Sequence, residues 1–250
     1  MASRKALIIG SPDEKIPGVN VDVKELKNYL KSAVGGFWYE SEITTLISPS
    51  ANSIRSQLNL LKLNDYSLVF FGGHGFHSID RNRTILHINA HETFDSLELR
   101  AGAQKHSLIL DCCRKAERER LIAKATMEGY TFDSASRQQL DPAQCRQYFD
   151  KAISECDSGL VVMNACSIHE TAGESETEGG YYTSSLIDAG NEWARNKLSS
   201  IDLAKSYATS STQDCHEAAA TRVKLLSGGR QTPSFESPRA DKKFPFAVVA

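Results

Sequence analysis

The chain has 250 residues, of which 29 are Lys or Arg, 31 are Asp or Glu, and 40% are hydrophobic. This length suits one large domain or two small ones and allows a sizeable core. The near-zero net charge gives no reason to expect a nucleic-acid or anionic-membrane partner, and no stretch reaches the roughly 18 consecutive apolar residues of a membrane helix.

The start of the chain and its cysteines indicate a cytoplasmic protein. The opening "MASRKALIIGSPDE" has one short apolar run and lacks the longer apolar region and small-residue cleavage site of a signal peptide. Reduced thiols are therefore expected, and the absence of a C-x-x-C pair argues against a four-thiolate zinc site. The six cysteines are Cys112, Cys113, Cys145, Cys156, Cys166 and Cys215.

The first half of the chain alternates apolar runs with helical patterns. Residues 5–10, "KALIIG", predict a strand, and residues 19–36 predict a helix that stops at a Gly-Gly pair. The further predicted elements are a strand at 41–48, a helix at 50–64 capped by Ser50 or Ser53, a strand at 66–75, a hairpin at 84–94, a helix at 95–103 and a strand at 107–113.

The second half begins with a charged segment, 114–158, that is mostly helical in pattern. Within it, residues 141–157 predict a helix with Asp141 as N-cap and Pro142 at its first position. The remaining predictions are a fifth strand at 159–166, an exposed acidic loop at 168–182, helices at 182–198 and 200–226, the second capped by Ser200, and a final strand at 244–250. Strands that alternate with helices predict one α/β domain over 1–250, with a mostly parallel sheet covered on both faces.

Three predicted strands end in residues that can carry chemistry. The third ends at Gly72-Gly73-His74-Gly75, the fourth at Asp111-Cys112-Cys113 and the fifth at Asn164-Ala165-Cys166-Ser167. Sites in open α/β sheets form beyond the carboxyl ends of the strands. If strands three and four are neighbours, an imidazole meets a thiol, favours the nucleophilic thiolate and can protonate a leaving amine. Taken singly, each residue also fits a structural role.

The order of these motifs carries a resemblance. "VFFGGHG" is followed by "LILDCCRK", then by "VVMNACSIHETAGES" and "GGYYTSSLIDA", and finally by "GGRQTPSF" and "FPFAVVA". This series resembles the His-Gly strand, Asp-x-Cys strand and closing segments of the caspase-like cysteine peptidases, the group of caspases, metacaspases and bacterial orthocaspases. The resemblance spans nearly the whole chain. It implies a three-layer sandwich around a mostly parallel six-stranded sheet, with helices on both faces.

The resemblance also implies a cysteine endopeptidase and the roles of its residues. His74 would be the general acid and base, Cys113 the nucleophile, and the backbone N–H groups of Gly75 and Cys113 the oxyanion hole. Cys112 would pack beneath the site. Asp111 falls in the pocket for the residue before the cleaved bond, and a carboxylate there complements a basic side chain. Cleavage of proteins or peptides after Arg or Lys is therefore expected.

Besides Asp111, two residues are predicted to bind the substrate, Cys166 and Glu174, although their chemistry gives less support to this role. Glu170 and Glu174 could add negative charge to the pocket, although both also suit a solvated acidic loop. Lys115 stands where the family often has Gly, and Gly72 where metacaspases commonly have Ser or Thr. The calcium-binding Asp cluster of many metacaspases is not recognisable. No cofactor or metal ligand is therefore expected, and calcium dependence stays open without a recognisable site.

The resemblance makes residues 114–158 an insertion or a cleavable linker. An enzyme specific for Arg or Lys could process itself there, although proteases need extended and accessible backbone, which a helical pattern disfavours. Activation by a protein partner in a bacterial defence or cell-death pathway is a further expectation, by family analogy. The basic residues of this segment include Arg114, Lys115, Arg118, Arg120, Lys124, Arg137 and Arg146.

Three other interpretations stay open. The chain could be a non-catalytic interaction module or regulatory pseudopeptidase on the same fold. His74, His77 and the Cys pair could form a transition-metal site, although adjacent cysteines rarely bind one ion. A nucleotide-binding α/β protein is the third, but the glycines fit neither the dinucleotide-binding nor the P-loop pattern.

Overall fold

The computed structural model describes residues 2–117 and 140–250. The helices are α1 Gly18–Lys31, α2 Ala51–Leu61, α3 Pro142–Glu155, α4 Tyr181–Leu198 and α5 Thr212–Leu226. The strands are β1 Arg4–Ser11, β2 Ile43–Ile47, β3 Tyr66–Gly73, β4 Gly75–Ser78, β5 Arg83–His87, β6 Thr93–Asp95, β7 Lys105–Asp111, β8 Ala116–Glu117, β9 Gly159–Asn164, β10 Glu174–Ser175, β11 Gly179–Gly180, β12 Ala208–Ser211, β13 Ser234–Glu236 and β14 Pro245–Val249.

A six-stranded sheet forms the centre, in the order β13-β9-β7-β3-β1-β2. Strand β13 runs antiparallel to β9, and the other neighbours are parallel. The predicted α/β fold with a mostly parallel six-stranded sheet is confirmed. The apolar runs are continuous because alternate side chains of each strand enter the cores on opposite faces of the sheet.

The two faces of the sheet are covered differently. Helices α1, α3, α4 and α5 contribute to the larger core, together with side chains such as Ile8 and Phe70 from the sheet. Helix α2 and the small sheet β6-β5-β4-β8 cover the other face, where Ile54 and Leu86 pack with Leu7 and Phe71. Within the described ranges, no helix is long and apolar enough to cross a membrane.

Two predicted helices were wrong in part. The segment 95–103 holds only a short 3₁₀ turn, Glu98–Arg100. The helix expected over 200–226 begins at Thr212, because residues 208–211 form β12 and pair with β14. The final strand was predicted, but it pairs with β12 outside the central sheet, whose sixth strand is β13. The N-cap of α2 is Ser50, whose side chain accepts a hydrogen bond from the Ser53 N–H.

The segment 114–158, predicted as a helical and charged insertion or linker, contains the core helix α3. Helix α3 begins as predicted, with Asp141 accepting backbone hydrogen bonds from residues 143 and 144. It buries Cys145, Phe149 and Ile153 in the larger core. Arg146 donates to both carboxylate oxygens of Glu42, at 2.6 and 2.8 Å, and is not presented as an extended cleavage site. Arg118, Arg120, Lys124 and Arg137 lie outside the described residues.

The start of α5 gives a stability test with a matched control. The Ser211 hydroxyl accepts from the Asp214 N–H at 3.1 Å, while the Asp214 carboxylate accepts from the Ser211 N–H at 3.1 Å, which is a capping box. We expect Ser211→Ala to lower the free energy of unfolding by about 1 kcal/mol in urea denaturation. Ser200→Ala should leave it unchanged, since the exposed Ser200 hydroxyl bonds only the Lys197 carbonyl at a helix end. Equal effects of the two substitutions would contradict the observed helix start.

Candidate active site

The parallel register aligns the ends of β3 and β7. The last paired residues are Gly72 and Asp111, so the chains leave the sheet side by side at the same level. His74 lies two residues beyond Gly72, and Cys113 lies two residues beyond Asp111. The two residues predicted as acid-base group and nucleophile therefore share one edge of the sheet, as expected for neighbouring parallel strands.

Gly75 is packed directly against the cysteine pair. A Cβ atom added at Gly75 would lie 2.9 Å from Cys112 Sγ and 3.0 Å from the Cys113 carbonyl oxygen, so a larger residue would push the two segments apart. The parallel pairing of β4 with β8 holds the same segments together, and the His77 N–H donates to the Lys115 carbonyl at 3.0 Å. The His-Gly turn and the Cys-Cys turn are thus fixed to each other by backbone contacts.

The two adjacent cysteines occupy different surroundings. Cys112 is buried in the core on the face that α2 and the small sheet cover, and burial raises the pKa of its thiol well above the usual value. Cys113 is half-buried, with Sγ 3.7 Å from the Ala172 carbonyl oxygen. No disulfide links the cysteines of the described ranges, which include all six. Cys113 is therefore the thiol of the pair that a substrate can approach.

His74 has a carboxylate partner on the side away from β7. Its Nε2 atom lies 3.0 Å from Asp13 Oδ2, in the loop that connects β1 to α1. Asp13 is not among the residues predicted from the sequence. The sequence offers little signal for it, since Asp13 and His74 are 61 positions apart and become neighbours only through the pairing of β1 with β3.

Buried carboxyl groups lie next to the cysteine strand. Asp111 Oδ2 accepts hydrogen bonds from the Thr183 N–H at 3.0 Å and from the Thr183 hydroxyl at 2.6 Å, at the start of α4. Burial raises the pKa of Asp111 despite these bonds. Glu174 lies close enough that burial and then the charge of Asp111 raise its pKa to about 7. The structure thus brings Asp111 and Glu174 together, as two residues of one acidic cluster.

Asp22 is the third member of this cluster and was missed. Its Oδ1 accepts from the Gly180 N–H at 2.8 Å, and burial followed by the charge of Asp111 raises its pKa well above the usual range. Gly180 lies between the two aspartates, and a Cβ there would collide with Asp111 Oδ2. A signal was present in the sequence, because Asp22 falls in the buried stripe of α1 that contains Val19 and Leu26.

Glu170 and Cys166 have positions that differ from the pocket expected for them. The Glu170 carboxylate accepts from the backbone N–H groups of Ser167, at 3.2 Å, and Thr232, at 2.6 Å, and so ties two loops together. Cys166 is fully buried, its Sγ lies 3.4 Å from the Cys112 carbonyl oxygen, and burial raises its pKa. We assign both residues to holding the loop behind Cys113, because neither presents its side chain to a substrate.

The geometry gives no support to the metal interpretation. His77 Nε2 lies 3.2 Å from Asn82 Oδ1, whereas His74 faces Asp13, so the two imidazoles have separate partners. In residues 2–117 and 140–250, no group of three or more His, Cys, Asp or Glu side chains is arranged to hold a metal ion.

Comparisons with known proteins bear on the fold and on the family. The fold is similar to that of caspase-1 from Spodoptera frugiperda, with a TM-score of 0.54 and 14% sequence identity, covering 94% of this chain and 86% of that one. This likeness shows the fold alone. No curated protein sequence matches the chain. The family model of the caspase domain, Peptidase_C14, matches residues 3–245. Because that match spans nearly the whole chain, the protein belongs to the caspase domain family of cysteine peptidases.

Proposed function

We propose that this protein is a cysteine endopeptidase that cleaves after Arg or Lys, with His74 and Cys113 as its catalytic residues. The observation that carries the proposal is the register of β3 and β7. Its last pair is Gly72 and Asp111, and His74 and Cys113 each follow this pair by two residues. Family membership supports the reaction type. The acidic cluster of Asp22, Asp111 and Glu174 supports the preference for a basic residue.

The reaction follows from the groups at this edge. His74 takes the proton of the Cys113 thiol, and the sulfur attacks the substrate carbonyl carbon. The backbone N–H groups of Gly75 and Cys113 are our candidates to stabilise the oxyanion. Protonation of the leaving amine by His74 breaks the C–N bond and leaves a thioester. His74 then deprotonates a water molecule that hydrolyses the thioester and restores the thiol.

We derive the substrate preference from the free energy that it costs to ionise several neighbouring buried carboxyl groups. Burial disfavours each ionised carboxylate, and the charge of Asp111 further raises the pKa values of Asp22 and Glu174. A guanidinium or ammonium group beside the cluster weakens that repulsion and gains charge-assisted hydrogen bonds. An Asp side chain in the same place would add one more carboxylate to this repulsion. The cluster therefore favours Arg and Lys over Asp.

The assignment of Cys113 as the nucleophile can be tested by comparing it with its neighbour Cys112. We expect Cys113→Ala to lower kcat on a fluorogenic Arg peptide by more than about 1,000-fold, because the attacking atom is lost. Cys112→Ala should stay within about fivefold of wild type, since Cys112 only packs in the core. The specificity is measured by comparing kcat/KM for this peptide with that for matching peptides that carry Lys or Asp before the cleaved bond. Each assay is run with and without calcium. Loss of activity in Cys112→Ala but not in Cys113→Ala would reverse the assignment, and a preference for Asp would overturn the role of the acidic cluster.

The pKa of Glu174 makes specificity depend on pH. Because that pKa is raised to about 7, Glu174 gains its negative charge as the pH rises from 6 to 8. We expect the ratio of kcat/KM for an Arg peptide to that for its neutral citrulline analogue to rise about fivefold over this range, the effect of one partly screened charge. The citrulline peptide cancels the titration of the catalytic groups. In Glu174→Gln the ratio should stay flat, and a rise equal to that of wild type would exclude Glu174 from the pocket.

A further inference from the structure

The ends of three neighbouring strands place three residues in a row along one edge of the sheet. Strand β3 lies between β7 and β1, and the pairing of β1 with β3 continues to Ser11 and Gly73. Asp13 follows Ser11 by two residues, and His74 follows Gly73 by one. His74 therefore lies between Asp13 on the side of β1 and Cys113 on the side of β7.

The Asp13 carboxylate is held by its own loop. Its Oδ1 atom accepts from the N–H groups of Lys15, at 2.7 Å, and Ile16, at 3.1 Å, as in an Asx turn. The other oxygen, Oδ2, is left to face His74 Nε2 at 3.0 Å. Because one oxygen is fixed by two backbone donors, the second has a defined position and does not depend on a freely rotating side chain.

The protonation of this pair determines which imidazole nitrogen is basic. Partial burial opposes ionisation of Asp13, but the Lys15 hydrogen bond and the neighbouring His74 together lower its pKa below the usual value. An ionised carboxylate only accepts hydrogen bonds, so His74 Nε2 must carry the proton. In neutral imidazole the other nitrogen, Nδ1, then has the free lone pair.

We propose that Asp13 is a positioning residue that holds His74 with the proton on Nε2, so that Nδ1 accepts the thiol proton of Cys113. This inference rests on the proposed peptidase function and adds a third group to its catalytic pair. When the proton moves from Sγ to Nδ1, the imidazolium formed faces the Asp13 carboxylate. The same proton passes from Nδ1 to the amine as the C–N bond breaks, and Asp13 keeps its charge throughout.

The size of the effect follows from exposure. The side chains of His74 and Asp13 are 26% and 47% exposed, so water weakens their attraction relative to that of a buried triad. We expect Asp13→Ala to lower kcat by about 10-fold, less than the roughly 100- to 10,000-fold contribution of a general acid or base itself, with KM within about twofold of wild type. Glu14→Ala, which removes the next exposed acid of the same loop, is the matched control and should behave as wild type.

Asp13→Asn separates a chemical role from a structural one. The two loop N–H groups need the side-chain oxygen, so the amide nitrogen of Asn would face His74 Nε2 and donate to it. That contact favours the tautomer with the proton on Nδ1, which cannot accept the thiol proton. We therefore expect Asp13→Asn, although isosteric, to lower kcat at least as much as Asp13→Ala. If Asp13 only shaped the loop, Asn would be the milder change.

Two measurements report on Asp13 without a substrate. The ¹⁵N spectrum of His74, assigned with His74→Ala, should show protonated Nε2 in wild type and protonated Nδ1 in Asp13→Asn. The rate of Cys113 alkylation by iodoacetamide should fall in both Asp13 variants and not in Glu14→Ala; the other five cysteines are buried. A wild-type tautomer with the proton on Nδ1, or unchanged kcat and alkylation in Asp13→Asn, would overturn the proposal.

These measurements also separate failure of this inference from failure of the proposed function. A wild-type protein that cleaves Arg peptides while Asp13→Asn matches its kcat retains the function and refutes the role of Asp13. A wild-type protein that cleaves no basic peptide refutes the function. In that case a tautomer and a Cys113 alkylation rate that still depend on Asp13 would support the row of three groups.

Discussion

The parallel pairing of β1, β3 and β7 is the constraint on which the rest of the structure depends. Parallel strands in register end at one edge, and hydrogen bonds between their backbones fix the relative height of those ends. Ser11 pairs with Gly73, and Gly72 pairs with Asp111, so the three following turns begin within one or two residues of each other. A slip of one residue between β3 and β7 would exchange the faces of all their side chains and separate His74 from Cys113.

Asp111 joins this edge to the helical layer. It ends β7, and its carboxylate accepts both the backbone N–H and the hydroxyl of Thr183 in the first turn of α4. The helix start suits a negative charge, which partly offsets the desolvation of the acid. Gly180 approaches Asp111, and Gly179 approaches the neighbouring Asp22. Gly179 has a φ of 78°, in the region that glycine adopts easily. The acidic cluster is thus compact because the backbone itself borders it.

Much of the fold could be predicted because its signals are local. Continuous apolar runs identify β1, β3, β7 and β9, and the Asp-Pro start of α3 identifies that helix. The helix predicted over 200–226 begins too early because "ATSS", residues 208–211, is short and polar. It becomes a strand only by pairing with β14, which lies beyond α5 in the sequence. The 3₁₀ turn at 98–100 lies in a segment whose apolar residues pack singly and not as a helical stripe.

The residues of the site also fall into those with a local signal in the sequence and those without one. His74, Cys113 and Asp111 stand directly after apolar strands, so the rule for strand ends and the family resemblance both find them. Asp13 lies in a loop with no pattern of its own, and its relation to His74 requires the order of the strands. Asp22 was detectable as an acid within an apolar helical stripe. Cys166 and Glu170 follow a strand as well, but their side chains turn toward the loops behind the site.

The two described parts of the chain, residues 2–117 and 140–250, contact each other through the central sheet and through ion pairs. Strand β9 of the later part pairs with β7 of the earlier part. The pairing begins with Lys105 opposite Gly159 and ends with Leu110 opposite Asn164. Arg146 of α3 binds Glu42, and Asp150 lies 3.3 Å from Arg4 of β1. A protein made as two polypeptides, ending and restarting between residues 117 and 140, would therefore keep its sheet and its ion pairs and could assemble as a heterodimer of fragments.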